Sequence, residues 1–289
     1  MFVNRQSRFI VVLLIAIGVG TVLLLNRPLT SDRTPPPVAQ ATFPSLTPTP
    51  SPKPSPQPLS VGQLNSAYGP CTRLPVLMYH HVQDDQLAQK EGYLKLNVNP
   101  THFRSQMQYL KDKGYSVLTF KDLNNFFNTG AKIPRRAAVL TFDDGYEDFY
   151  TQAFPILRQF NFPAALFLPT GLVNNPGYVN WGQIQEMANS GLVFLGNHTW
   201  SHHSLATDSA VVVKEISTAD QQLTSRGWDN PKVFAYPYGT TTKFAKDELG
   251  REGYTLAFST VPGSTLCKKL RLALPRVRVG NNGLGYYRL

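Results

Sequence analysis

Residues 61–289 are predicted to form one α/β domain built on a parallel sheet. Short apolar segments alternate there with segments whose apolar residues recur at helical spacing, which is the pattern of repeated strand–helix units. Polar residues able to carry chemistry follow several of the apolar segments, as expected where the carboxyl ends of parallel strands form a binding site. The pattern fits an open doubly wound sheet and a closed barrel equally well.

The predicted strands are the most apolar segments of this domain. They cover residues 74–82, 115–119, 137–142, 164–168, 192–196, 233–236, 255–259 and 274–279. The predicted helices lie between them and cover residues 99–113, 121–128, 147–159, 181–189, 208–225 and 242–252. Asn99 and Pro100 open the first helix and Gly114 stops it, whereas Pro155 makes an irregularity in the third.

Residues 1–27 are predicted to be a signal anchor in the membrane. Arg5 and Arg8 precede an uncharged apolar run at residues 9–25, which is within the range of lengths that span a bilayer, and they favour a cytoplasmic amino terminus. A cleaved signal is the alternative, since residues 39–41 fit a cleavage site. Either way, we expect the remaining chain to leave the cytoplasm.

Residues 28–60 are predicted to be an extended linker between the anchor and the domain. Pro, Ser and Thr dominate this stretch, and such a composition favours polyproline II conformations because it cannot bury a core. The domain would then lie in the periplasm, at the cell surface, or free outside the cell after cleavage.

The composition of the whole chain narrows the choice of partners only a little. Its formal net charge is +10, which suits an anionic partner such as a cell-wall polymer, although a solvated basic surface is the simpler interpretation. No basic helix or block of Lys and Arg occurs, so a nucleic-acid partner is not expected, and we expect a monomer. The two cysteines, Cys71 and Cys267, fit one disulfide or two buried thiols equally.

Two motifs at predicted strand ends point to a metal site. Asp143, Asp144 and Gly145 follow one strand, and His198 and His202 follow another. Adjacent carboxylates repel each other unless a positive charge lies beside them, and one carboxylate with two imidazoles is a common catalytic zinc set with an open position. Alone, the first motif could be a simple turn and the second a surface pair, but together they favour a metal site with a second Asp as base.

Other polar and aromatic residues near strand ends leave their roles open. His80 and His81 end the first strand, and the turn Tyr236-Pro237-Tyr238-Gly239 ends another; a buried histidine and an ordinary aromatic turn are the plain interpretations. Three further aromatic residues fit a sugar-binding groove and a barrel cover equally, namely Tyr178, Trp181 and Trp200.

These motifs together resemble the polysaccharide deacetylases, the NodB-homology domain of carbohydrate esterase family 4. The resemblance is carried by TFDDG (141–145), HTWSH (198–202), YPYG (236–239) and LPRVRV (274–279), and it spans residues 74–279. LMYHHV (77–82) and FAYPYG (234–239) are similar to the poly-N-acetylglucosamine deacetylase branch. The resemblance implies a distorted (β/α)7 barrel, an Asp-His-His metal site, and removal of acetyl groups from N-acetylglucosamine residues of a polymer.

Each role is carried over to the matching position of this chain. The resemblance implies that Asp143 is the catalytic base, that the Tyr238 backbone N–H faces the oxyanion, and that a divalent metal, Zn²⁺ or alternatively Co²⁺ or Ni²⁺, has the ligands Asp144, His198 and His202. Many members have an Arg where this chain has Ala235, so we expect Arg276 to orient the base instead. The general acid of this branch comes from the first strand, which makes His80, as imidazolium, the expected acid.

The expected function is metal-dependent removal of N-acetyl groups from an extracytoplasmic polysaccharide. Hydrolysis of an acetyl ester on a glycan is one alternative, since enzymes of the same fold act on such esters. A catalytically silent glycan-binding domain is another, because Ala235 departs from the family pattern. A phosphate-ester hydrolase is disfavoured by the lack of a basic phosphate clamp in the sequence.

Overall fold

A computed structural model describes residues 59–289 of the chain. The predicted membrane segment, and all but the last two residues of the predicted linker, lie outside the described residues. Within residues 59–289, no helix combines the length and the apolar character that crossing a membrane requires.

Seven parallel strands close into a barrel. The strands of the domain are β1 (Cys71–Arg73), β2 (Val76–Tyr79), β3 (Ser116–Val117), β4 (Ala137–Phe142), β5 (Ala164–Leu168), β6 (Val193–Asn197), β7 (Val233–Ala235), β8 (Leu256–Pro262), β9 (Thr265–Cys267) and β10 (Leu274–Arg278). Pairing runs from β2 through β4, β5, β6, β7, β8 and β10 and then returns to β2. The predicted parallel sheet is therefore confirmed, and it is the closed (β/α)7 barrel rather than the open sheet.

The helices pack outside this barrel. They are α1 (Val61–Tyr68), α2 (Asp85–Glu91), α3 (Pro100–Asp112), α4 (Phe120–Thr129), α5 (Phe154–Phe160), α6 (Trp181–Asn189), α7 (Ser209–Thr224) and α8 (Lys243–Arg251). The sequence did not predict α1 or α2, which have only eight and seven residues. The predicted helix at 147–159 is split into a wide turn at Phe149–Ala153 and α5, because Pro155 lacks an N–H and fits only the first turn of a helix.

Strand periodicity decides which side chains enter the barrel. Along β4, Val139 joins an interior apolar cluster, whereas Leu140 and Phe142 join the cluster under the surrounding helices. Since side chains alternate between the two faces of a strand, Thr141 and Asp143 take the next interior positions. The interior thus changes from apolar residues at the bottom to polar residues at the carboxyl rim.

One aromatic side chain closes the bottom of the barrel. The Phe120 ring centroid lies 5.0 Å from that of Phe258 and 5.8 Å from that of Phe167, and all three rings are buried. This packing leaves the carboxyl rim as the open end of the barrel, which is where catalytic sites form in folds of this kind.

A disulfide fastens the seam of the barrel. Cys71 in β1 and Cys267 in β9 are bonded, and the two strands pair antiparallel beside the ring. β1 leads into β2 and β9 leads into β10, so the bridge holds together the chain segments that feed the closing β2–β10 pair. Of the two alternatives that the sequence left open, the structure has the bridge.

The bridge should contribute measurably to stability. Replacing both cysteines with serine should lower the free energy of unfolding by about 2–4 kcal/mol, because a cross-link between distant residues restricts the unfolded chain. The two cysteines are 196 residues apart in sequence. Urea unfolding followed by circular dichroism would measure the loss. Reductant should reproduce it in the wild-type protein and leave the double variant unchanged, and equal midpoints for both proteins would contradict the prediction.

Candidate active site at the barrel rim

The three predicted metal ligands meet at the carboxyl ends of β4 and β6. Asp144 Oδ1 lies 3.1 Å from His198 Nε2 and 3.0 Å from His202 Nε2, and one ligand atom from each side chain lies within 4.8 Å of the others. Two atoms that each lie about 2 Å from one ion are roughly 3 Å apart. The donor set and its spacing therefore fit the protein part of a divalent metal site.

The backbone at this rim adopts conformations that side chains seldom accept. Asp144, Thr199, His202 and Tyr238 all have positive φ, at 72°, 67°, 60° and 59°. Residues other than glycine rarely occur there, and residues that do are concentrated at functional sites. Here the turn at Asp144 breaks the strand alternation, so that its side chain faces the histidines while Asp143 faces the interior.

Hydrogen bonds fix the orientation of the first histidine. His198 Nδ1 lies 2.7 Å from the Ala235 carbonyl oxygen, to which it donates, and its Nε2 faces Asp144 Oδ1 at 3.1 Å. A metal-bound histidine usually donates its other N–H in this way. Thr199 N donates to the Asn197 side chain at 2.7 Å, which holds the turn that follows His198.

The loop between the two histidines is held from α7. Glu215 accepts hydrogen bonds from Ser201 N at 2.8 Å and from Ser201 Oγ at 2.6 Å, and its side chain is buried. The hydroxyl oxygens of Thr170 and Thr199, on the same rim, are buried without a hydrogen-bond partner among the described residues. Buried polar atoms without a partner are uncommon, so both hydroxyls are free to bond to a ligand at this rim.

The second carboxylate belongs to a buried ion pair. Arg276 in β10 is fully buried, and its Nη1 and Nη2 donate to the two oxygens of Asp143 at 2.7 and 2.6 Å. Two more of its N–H donors reach Thr141 Oγ1 at 3.2 Å and the Ser259 carbonyl at 3.1 Å. Bidentate pairing of this kind fixes the plane of the carboxylate, so the structure places Arg276 where it orients Asp143.

The two neighbouring carboxylates are each stabilised by different partners. Burial alone would raise the pKa of Asp143, but the charge and hydrogen bonds of Arg276 lower it below its ordinary value. Burial opposes ionisation of Asp144 as well, but hydrogen bonds to His198 and His202 hold its pKa well below the usual range. Both carboxylates can therefore be ionised side by side, which is what separate roles as base and as ligand require.

The environment of His80 affects its expected role as the general acid. This side chain is buried near the two carboxylates, and burial lowers the pKa of His80 to about 4, although Asp143 and Asp144 act in the opposite direction. Burial therefore favours the neutral ring, so His80 would have to take up a proton before acting as the expected general acid, and that role stays a prediction. The sequence could not reveal this, because the solvation of the ring depends on the packing of the whole rim.

Tyr238 lies beside the metal ligands. Its ring centroid is 4.8 Å from that of His202, and its side chain is 68% exposed. Its backbone lies in the short turn Pro237–Gly239 and is not helical there, with a φ of 59°. His203, by contrast, is exposed and is not among the clustered ligands.

Four supporting residues were missed from the sequence. These are Thr141, Asn197, Glu215 and Ala235. Asn197 stands directly before His198 at a strand end, which is a signal that could have found it. Ala235 acts through its backbone carbonyl and Glu215 comes from a distant helix, so no local pattern marks either.

Sequence comparisons identify the kind of domain. The profile of the family described as polysaccharide deacetylase matches residues 130–257. The poly-β-1,6-N-acetyl-D-glucosamine N-deacetylase of Escherichia coli K12 is 30% identical over 250 residues, which cover 71% of this chain and 36% of the relative. The enzyme of the same name from Staphylococcus aureus MRSA252 is 26% identical over 200 residues, covering 64% and 69%. This chain thus matches little more than a third of the Escherichia coli relative.

Solved structures show the same fold. The Streptococcus pyogenes deacetylase PplD, in complex with acetate, has a TM-score of 0.68 and 27% identity, with coverage of 73% of this chain and 94% of that one. IcaB from Ammonifex degensii has a TM-score of 0.62 and 25% identity, with coverage of 71% and 91%.

Loss of the buried guanidinium should destabilise the domain. Arg276→Gln should lower the free energy of unfolding at pH 7 by about 3–5 kcal/mol, because it leaves the buried carboxylate of Asp143 without its partner. Adding Asp143→Asn should recover part of the loss, since the amide is neutral. Urea titration would measure both variants. Arg278→Gln, on the exposed part of the same strand, is the matched control, and an equal loss there would contradict the prediction.

The same ion pair determines how the stability of the folded domain depends on pH. The folded state lowers the pKa of Asp143, so the stabilisation is present above the ordinary pKa of Asp, about 4. It is lost as the pH falls through the lowered value. The difference in stability between wild-type protein and Arg276→Gln should therefore shrink in acid.

Proposed function

Since the chain contains a domain of the polysaccharide deacetylase family, we propose that it is a metal-dependent hydrolase that removes N-acetyl groups from N-acetylglucosamine residues of a polysaccharide. The observation that carries the proposal is the separation of two adjacent carboxylates, with Asp144 facing two imidazoles and Asp143 facing Arg276. The relatives named for poly-β-1,6-N-acetylglucosamine favour a polymer of that kind as substrate.

Asp144, His198 and His202 would hold a divalent metal, with Zn²⁺ the first candidate and Co²⁺ or Ni²⁺ as alternatives. Three protein ligands leave coordination positions for substrate and water, as in catalytic sites. Such an ion, when bound, polarises a carbonyl and lowers the pKa of water towards 7. Because Nδ1 of His198 donates to the Ala235 carbonyl, the neutral ring would present Nε2 to the ion.

Asp143 would act as the base. Arg276 keeps this carboxylate ionised and fixed, so that it can take a proton from the attacking water without reorganising. A carboxylic acid with a lowered pKa gives up its proton readily. Asp143 could therefore pass the proton taken from water on towards the departing amine. His80, being neutral, must first accept a proton before it can act as the acid, and the protonated Asp143 is a nearby source.

The backbone N–H of Tyr238 would stabilise the oxyanion. It belongs to the turn beside His202 and comes from a residue with positive φ, so the conformation of that turn fixes its direction. Loss of one such donor costs about 10²–10³ in rate in other hydrolases. The exposed ring of the same residue would border the sugar bound over the metal ligands.

The proposed location is outside the cytoplasm. The disulfide between Cys71 and Cys267 supports an oxidising compartment, where such bonds persist. A signal anchor at residues 1–27 would tether the domain to the membrane, whereas cleavage near residues 39–41 would release it. Both of these segments lie outside the described residues. The domain is proposed to act as a monomer.

The direct test is acetate release from a panel of acetylated glycans. Purified protein with Zn²⁺ should release acetate from oligomers of β-1,6-linked N-acetylglucosamine or from chitooligosaccharides, and a chelator should abolish the release until Zn²⁺ is restored. Release from acetyl-xylan alone would favour the O-acetyl esterase alternative. Binding of the glycans with no acetate release from any of them would favour the silent domain.

Variants separate the base from the metal ligands. Asp143→Asn should retain Zn²⁺ binding, but its turnover rate should fall by a factor of about 10²–10⁴, which is the range for a general base. His198→Ala should lose both Zn²⁺ binding and turnover. Calorimetry with Zn²⁺ and acetate release would measure the two properties. His203→Ala, an exposed neighbour of a ligand, should retain both, and full turnover in Asp143→Asn would refute the assignment of the base.

A further inference from the structure

A groove of about 750 Å³ opens beside the metal centre. α2 and the segments that follow β2 and β4 form its walls, and Tyr146 and Tyr178 are at the end nearest the metal ligands. Tyr146 is two residues from Asp144 in sequence and forms an isolated antiparallel bridge with Tyr178, which places this end of the groove beside the site. The volume falls within the range of about 300–1,000 Å³ for small-molecule sites.

The charge of this groove is opposite to that of the chain as a whole. The residues lining it include four carboxylates and neither lysine nor arginine, although the chain has a formal net charge of +10. The four are Asp84, Glu91, Glu147 and Asp148. A cationic ligand would find here a favourable potential that most of the surface of this protein does not offer.

One wall of the groove is a ladder of flat rings. The His81 ring stacks between Tyr93 and Tyr146, at centroid distances of 4.4 and 3.7 Å, and Tyr146 lies 5.4 Å from Tyr178. Aromatic residues with a few placed polar groups are typical of sites that orient a small ligand. The ladder leads from the metal centre into the acidic part of the groove.

His81 gives a second, independent sign of a ligand. Its side chain is 4% exposed, and its Nδ1 lies 2.6 Å from Asp148 Oδ2, while the other oxygen of Asp148 accepts from Val82 N at 3.1 Å. In the neutral ring this places the proton on Nδ1 and leaves a lone pair on Nε2, which is buried and has no partner among the described residues. His81 Nε2 is therefore a hydrogen-bond acceptor without a donor among the described residues.

We infer that this groove is a subsite for a glucosamine residue whose amine is free and charged, next to the residue being deacetylated. An ammonium group offers three donors and no acceptor, which complements carboxylates and a lone pair, whereas an N-acetyl group brings an unpaired carbonyl oxygen and no charge. The inference rests on the proposed function, since hydrolysis of the acetamide makes this amine. It implies that the enzyme acts preferentially beside residues it has already deacetylated.

Binding to the full-length protein tests the subsite without turnover. A β-1,6-linked glucosamine trisaccharide should bind chelator-treated wild-type protein more tightly than the N-acetylated trisaccharide does, and added salt should weaken the difference. Glu91→Gln and Glu147→Gln should each weaken binding of the glucosamine trisaccharide by about three- to tenfold, as expected for a partly exposed ion pair. Glu252→Gln, outside the groove, is the matched control and should leave binding unchanged.

Activity tests the consequence for the polymer. The ratio of kcat/KM for a trisaccharide with one free amine to that for the fully acetylated trisaccharide should exceed one in wild-type protein and fall towards one in Glu147→Gln. Equal binding of the two trisaccharides, or unchanged binding in both groove variants, would overturn the inference. Absence of acetate release from every substrate would instead count against the proposed function, and the binding result would still decide the groove.

Discussion

The buried pair of Arg276 and Asp143 is the interaction on which the rim depends. A guanidinium inside a barrel is costly unless each of its donors has an acceptor, and here the acceptors come from Asp143, Thr141 and the Ser259 carbonyl. These groups belong to β4, to its carboxyl end and to β8, while the arginine belongs to β10. The pair is therefore satisfied only when the ring of strands has closed in the correct register, which links the geometry of the base to the completed fold.

The same pair explains how two adjacent aspartates serve different purposes. Asp143 continues the alternation of β4 and enters the barrel, whereas the positive φ of Asp144 turns the next side chain towards the histidines. Without Arg276, the two carboxylates would compete for one source of positive charge, and one of them would be protonated more readily. With it, Asp144 alone would depend on the positive charge of the proposed metal site, and Asp143 would stay available for the proton transfer proposed for it.

Sequence patterns predicted most of the barrel and the residues gathered at its rim. They could not predict which hydrogen-bond and charge partners those residues have. The strands at 137–142 and 164–168 match β4 and β5 because an apolar run and its turn signals are local. The β1–β9 ladder and the closing β2–β10 pair join segments about 200 residues apart in sequence, so local periodicity contains no trace of them. The lowered pKa of His80 was unpredictable for a related reason, since it depends on burial by distant segments.

The charges of the rim and of the groove fit together once the reaction is considered from the side of the polymer. In the proposed reaction, each turnover would convert a neutral acetamide into an amine that is cationic near neutral pH, so the substrate would become steadily more positive. A protein with a net charge of +10 repels such a chain over most of its surface, and repulsion would favour release after every step. Four carboxylates line the groove beside the proposed metal site, and they make the electrostatic potential there negative rather than positive. The combination favours holding the residue just deacetylated while leaving the rest of the polymer free to move, which is the electrostatic arrangement needed to produce consecutive glucosamines.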